Sequence, residues 1–141
     1  MADVAVLRES LATFLGDDRF RKFVHQGLRR GRLRYWQEQE WARFIAANPQ
    51  FDVALDELAT ALRICELHRD ELLPDTVEVI HGNRDYAGWY IEARNRLFPN
   101  AATEPYSTEG GSFEADRFGV WYCPSCRRAQ AEWERSRRTN R

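Results

Sequence analysis

Cys65-Glu66-Leu67-His68 and Trp121-Tyr122-Cys123-Pro124-Ser125-Cys126 are the two stretches that decide how this chain is read. Each holds two metal-ligating side chains with two residues between them, a gap that lets one tight turn aim both at a single ion. All three cysteines of the 141-residue chain fall into these pairs. A thiolate or imidazole must come within roughly 2.0–2.3 Å of zinc at tetrahedral angles, and two pairs from distant segments supply four such ligands. The sequence therefore predicts one Zn2+ site on Cys65, His68, Cys123 and Cys126. Three thiolates and one imidazole fill it, whereas a catalytic zinc keeps a position open for water, so the expected role is structural.

Working outward, the chain before Cys65 reads as helical, because its apolar residues recur three and four apart. Val4, Leu7, Leu11, Phe14 and Leu15 form one stripe. Phe20, Phe23, Val24 and Leu28 form a second, with Gly31 as the expected C-terminal cap. Leu33, Trp36, Trp41, Phe44 and Ile45 predict a third helix stopped by Asn48-Pro49. Asp52 is the expected N-cap of a fourth, which carries Leu55, Leu58, Ala59 and Leu62 and runs into Cys65. After Cys65 the pattern changes. Thr76 to Ile80 alternates as a half-buried strand does, and His81-Gly82-Asn83 is a turn. Asp85 is the expected cap of a helix over 86–97, residues 101–116 read as an exposed loop, and Phe118 to Tyr122 suits a second, buried strand. A final helix is expected from Arg127 to about Arg138.

The order is ligand pair in a turn, strand, strand, then a second pair at the start of a helix. With CELH and WYCPSC in those places, residues 65–138 resemble the treble-clef zinc-finger superfamily. The resemblance implies a scaffold and a metal but no particular activity. The 54 residues between the pairs exceed the usual finger spacer, as they would if the helix at 86–97 and the loop at 101–116 were insertions within a hairpin. The expected fold is α+β: a helical part, 1–63, packed on a zinc-stapled finger, 64–141, with a short β-hairpin and a C-terminal helix, the whole behaving as one cooperative unit.

Length and composition agree with one ordinary domain. Hydrophobic residues make up 43% of the chain and charged residues 30%, which places it outside the compositions that stay disordered. The amino-terminal acids Asp3, Glu9, Asp17 and Asp18 interrupt any signal-peptide core, and no apolar run reaches the length of a membrane span. Cysteines at metal spacing suit a reducing compartment. The expected location is cytoplasmic, with no membrane contact.

Enzyme readings fare poorly. WYCPSC is similar to the Cys-Pro-x-Cys motif of glutaredoxins, where a helix N-terminus lowers the thiol pKa, but in that fold most of the sheet follows the motif, and here 15 residues follow Cys126. Zinc deaminases pair a metal ligand-x-Glu with a later Pro-Cys-x-x-Cys, and neither is present. Treble-clef nucleases need a histidine base on the hairpin, where His81 stands, together with further ligands on the helix, which offers only Glu132 and Glu134. His81 reads as a turn residue and His25 as a boundary residue. No phosphate loop or nucleophile elbow appears, so no catalytic residue and no small-molecule substrate is inferred.

Two binding readings remain. A formal net charge of -1 gives no global field for a polyanion. Residues 19–34 nevertheless hold Arg19, Arg21, Lys22, Arg29, Arg30, Arg32 and Arg34 without an acid, and Tyr35 and Trp36 follow. Arginines interleaved with aromatics are what a single strand would meet. Arg29, Arg30, Arg32 and Arg34, with Arg127 and Arg128 on the final helix, are the candidate nucleic-acid contacts. Against this, residues 64–118 carry eleven acids and five arginines, so the basic helices can simply complement an acidic middle. The favoured expectation is a non-enzymatic module that works through a protein-binding surface, as an adaptor, regulator or inhibitor.

Overall fold

The structure, a computed structural model, describes residues 3–28, 31–108 and 115–139. Among these lie six α-helices and a three-stranded mixed sheet, an α+β arrangement. The chain divides into two compact units, Met1–Arg69 and Asp70–Arg141.

In the first unit α1 (Val4–Leu15) starts where the Asp3 carboxylate accepts from the Ala5 N–H at 2.9 Å, and it buries Leu7, Leu11, Ala12 and Leu15. α2 (Asp17–Gln26) carries Asp17 and Asp18 in its first turn, at the positive end of the helix dipole, and buries Phe20, Phe23 and Val24. Its C-cap, Gly27, comes four residues before the expected cap at Gly31. Gly27 takes a left-handed backbone first (φ 51), and its N–H closes on the Phe23 carbonyl at 3.0 Å.

α3 (Tyr35–Ala47) begins later than the apolar spacing predicts, so Leu33 is buried ahead of it and not on its face. Gln37 explains the start. Its fully buried side chain accepts from the Arg34 N–H at 2.8 Å and donates to the carbonyls of Phe23 (3.0 Å) and Gly27 (3.2 Å). One amide thus bonds both to the end of α2 and to the beginning of α3, where intrahelical bonds run out.

Asn48-Pro49 stops α3 as expected, and a single 3-10 turn follows. α4 (Leu55–Ala61) is shorter than predicted. Asp52 does not cap it, Ala54 occupies the N-cap, and the helix stops at Leu62 instead of running into Cys65. The core of this unit is aromatic and aliphatic, with Phe20, Phe23, Phe44, Leu7, Leu11, Leu58 and Ile64 almost inaccessible. Each such side chain contributes about 1.5–3 kcal/mol by its burial.

In the second unit β1 (Leu73–His81) is the central strand. β2 (Tyr106–Thr108) pairs parallel to it, Val79 opposite Tyr106. β3 (Arg117–Tyr122) pairs antiparallel, from Leu73 opposite Tyr122 to Glu78 opposite Arg117. The strand pair expected around 76–80 and 118–122 is present and longer, but β3 alternates exposed with half-buried residues and is not the buried strand expected. β2 falls inside the stretch read as a loop, whose residues 109–114 lie outside the described ones.

α5 (Gly88–Leu97) starts two residues later than predicted with Ala87, not Asp85, at its N-cap. α6 (Pro124–Thr139) begins three residues earlier than predicted, with Pro124 in the first turn, where its missing N–H costs nothing. Aromatic rings join the two helices: Trp133 packs 5.9 Å from both Trp89 and Tyr90 and 5.6 Å from Phe98.

Candidate metal centre

After α4 the chain extends through buried Ile64 to Cys65 and turns back on itself, the Arg69 N–H closing on the Cys65 carbonyl at 2.8 Å. Arg69 sits at φ 63, a conformation that an L side chain avoids unless something holds it. Here its guanidinium pairs with Asp17 at 2.9 Å and lies 4.9 Å over the Phe20 ring. The turn directs the His68 N–H at the Cys65 sulfur (3.4 Å) and leaves His68 Nδ1 3.6 Å from that sulfur.

The second pair repeats the device where β3 becomes α6. The Cys126 N–H points at the Cys123 sulfur at 3.4 Å, and the Cys123 carbonyl accepts from the Arg127 N–H at 3.1 Å. The loop after α5 closes over it. Asn100 accepts from the Cys123 N–H at 2.8 Å through its carbonyl and directs its own N–H at the Cys126 sulfur, 3.4 Å away. N–H groups and a helix N-terminus around sulfur favour the thiolate, the form that binds metal. The Asp70 carboxylate accepts a hydrogen bond from the Ser125 hydroxyl and lies 3.7 Å from the Cys123 sulfur.

The four ligand atoms of Cys65, His68, Cys123 and Cys126 all lie within 4.8 Å of one another, and the three cysteines are buried. A tetrahedral zinc with sulfur bonds near 2.3 Å and a nitrogen bond near 2.1 Å has ligand–ligand edges of about 3.6–3.8 Å. The Cys65–His68 separation is already at that value, and thiolate with imidazole suits Zn2+ better than a hard, oxygen-seeking cation. The residues fit one such ion.

The other histidines lie apart from this cluster. His25 Nδ1 is 3.2 Å from Glu66 Oε1, and His81 Nδ1 is 3.2 Å from the Thr108 hydroxyl at the end of β1. The candidate nucleic-acid residues have diverse fates. Arg29 and Arg30 lie outside the described residues. Arg32 and Arg34 are exposed on the segment before α3, and Tyr35 beside them is 75% exposed. Arg127 is engaged within its unit, by Asp75 at 2.8 Å, the Tyr122 ring at 3.6 Å and the Ala101 carbonyl at 2.9 Å. Arg128 is exposed and donates to the Ser125 hydroxyl at 2.9 Å.

Sequence reasoning missed the parts that surround the ligands: Asn100, Asp70, Ser125 and the arginine that holds the first turn. Only Ser125, inside the CPSC motif, carried any signal. No family model, curated protein or solved structure matches this chain. Among the described residues no helix is long and apolar enough to cross a membrane.

Proposed function

We propose that this chain is a small binding module, not an enzyme, whose fold is closed by one structural Zn2+ on Cys65, His68, Cys123 and Cys126 in a treble-clef-like arrangement, and which works through a protein-binding surface. The single observation that carries the reading is the convergence of these four ligand atoms within 4.8 Å. Four protein donors fill a tetrahedron, so the ion has no position for water or substrate and serves the fold. The treble-clef part is supported by a ligand pair in a turn ahead of β1, by the antiparallel β1–β3 pair, and by a second ligand pair entering α6. Buried thiolates of this kind belong in a reducing compartment such as the cytoplasm.

The test is metal content per chain on protein purified without chelator, followed by melting with and without a strong zinc chelator. One zinc per chain with chelator-induced unfolding is expected, since structural zinc sites have apparent binding free energies on the order of 10–16 kcal/mol. Metal-free protein that melts unchanged overturns the reading and turns attention to the redox potential of Cys123 and Cys126.

A second reading rests on one observation: Tyr35, at helical spacing with core residues, is instead 75% exposed beside Arg32 and Arg34. An exposed ring flanked by arginines suits a nucleic-acid single strand. Binding of a single-stranded oligonucleotide that weakens steeply with salt would support it, because released counterions set that slope. A protein surface need show no such slope.

A further inference from the structure

The second unit contains a cavity of about 500 Å³ alongside α5 and α6, within the range that takes a small ligand. Four carboxylates line it, Glu78, Asp85, Glu104 and Glu134, against the single arginine Arg84. Glu104 is neutralised by Arg94 at 2.7 Å. Glu78 and Asp85 line the cavity and make no ion pair among the described residues, so these two carboxylates are open to a cation.

Its remaining character is aromatic. Tyr86, Trp89 and Tyr90 line it, with the two tyrosine rings stacked 5.4 Å apart and Trp89 55% exposed. Every one of these rings already has an arginine of this chain over it: Arg84 at 5.5 Å from Tyr86, Arg94 at 6.0 Å from Tyr90 and Arg137 at 3.5 Å from Trp89. The wall is thus of a kind that attracts guanidinium groups, as expected from the negative face of an aromatic ring.

Burial, reinforced by the Glu104 carboxylate, pushes both tyrosines up, Tyr90 to about 12, so both are neutral phenols at physiological pH.

Carboxylates select a cation with N–H groups to donate, and aromatic rings select one with a face or a weakly hydrated surface. A quaternary ammonium fails the first condition. Lysine ammonium is compact and strongly hydrated and meets the second poorly, whereas a guanidinium meets both. We propose that the cavity bounded by Glu78, Asp85, Tyr86 and Trp89 is a binding site for a guanidinium group, carried either by a small alkylguanidinium molecule or by an arginine side chain of a partner. Only the second source rests on the reading of the chain as a protein-binding module.

The test is calorimetric titration of the zinc-loaded full chain with ethylguanidinium and with an acetylated, amidated Gly-Arg-Gly peptide, with Trp fluorescence as a second readout. Tetramethylammonium and the matching Gly-Lys-Gly peptide are the comparison ligands. Saturable binding of ethylguanidinium is expected, weakened about tenfold in the double variant Glu78→Gln/Asp85→Asn and at least as tight in Arg84→Ala. All three residues are exposed, and a gain in Arg84→Ala cannot arise from a damaged fold. The site is overturned by ethylguanidinium that does not saturate, by a double variant that binds equally well, or by tetramethylammonium binding as tightly. The ethylguanidinium arm tests the cavity whatever the chain's partner is. Given that binding, a peptide tighter than ethylguanidinium assigns the group to a protein side chain, and equal affinity assigns it to a small cation.

Discussion

Arg127 reaches across the start of α6 to Asp75 on β1, their charged atoms 2.8 Å apart. The Thr76 backbone N–H, at 2.7 Å, and then this guanidinium hold the Asp75 carboxyl below its ordinary value of 3.8. A carboxyl whose pKa is depressed in the fold binds its proton more readily when unfolded. Its contribution is therefore present above the unfolded value and lost as pH falls through the folded one. Stability of the intact chain is expected to fall more steeply below about pH 4 than that of Asp75→Asn, measured by denaturant unfolding at stepped pH.

At the other end of the pH scale Tyr90 has the opposite sign. Burial first, and the Glu104 carboxylate second, raise it from 10.0 to about 12. Between those values the folded chain keeps a proton that the unfolded chain has lost, so stability falls as pH rises from 10 to 12. Tyr90→Phe should flatten that fall, and phenolate absorbance of the folded intact chain should show a tyrosine titrating later than free tyrosine does.

The metal ligands should dominate stability. Cys123→Ser or Cys126→Ser is expected to abolish stoichiometric zinc and to lower the melting temperature far more than Arg32→Ala on the exposed segment before α3. Elemental analysis and thermal melting measure both. Equal stability of the three variants would contradict a structural metal.

Gln37 is buried yet polar, and three hydrogen bonds depend on it. Gln37→Leu keeps much of the volume and leaves the Arg34 N–H and the Gly27 carbonyl without this partner, while the Phe23 carbonyl keeps only the Gly27 N–H. Each such group costs about 1–3 kcal/mol when buried. A loss of at least about 2 kcal/mol in urea unfolding is expected, and a neutral effect would mean water replaces the amide.

Two glycines should respond with opposite signs. Gly27 lies at φ 51, so Gly27→Ala is strained and should destabilise by about 1 kcal/mol. Gly88, at the start of α5, has a helical environment with nothing within 4 Å of an added Cβ. Gly88→Ala should stabilise by about 0.4–1 kcal/mol, mainly by restricting the unfolded chain.

Much of this was legible in the chain because it depends on neighbours. The helical stripe of α1, the stop at Asn48-Pro49 and the alternation along β1 follow from the 3.6- and 2-residue periods of the backbone. The two ligand pairs followed from spacing alone, since a two-residue gap is the reach of a tight turn. Tertiary structure decided the remainder. Gly27 and Gly31 are equally good helix terminators in sequence, and Gln37, ten residues beyond Gly27, donates to the carbonyl of the first of them. β2 looks like loop because a three-residue parallel strand draws its hydrogen bonds from β1, 27 positions away at Val79 and Tyr106. Arg127 and Arg32 are alike as basic residues, yet one is engaged by Asp75 and Tyr122 and the other is exposed. Local periodicity is written in adjacent residues, whereas pairing between distant groups exists only once the chain has brought them to within a few ångströms, and no window along the sequence contains both partners.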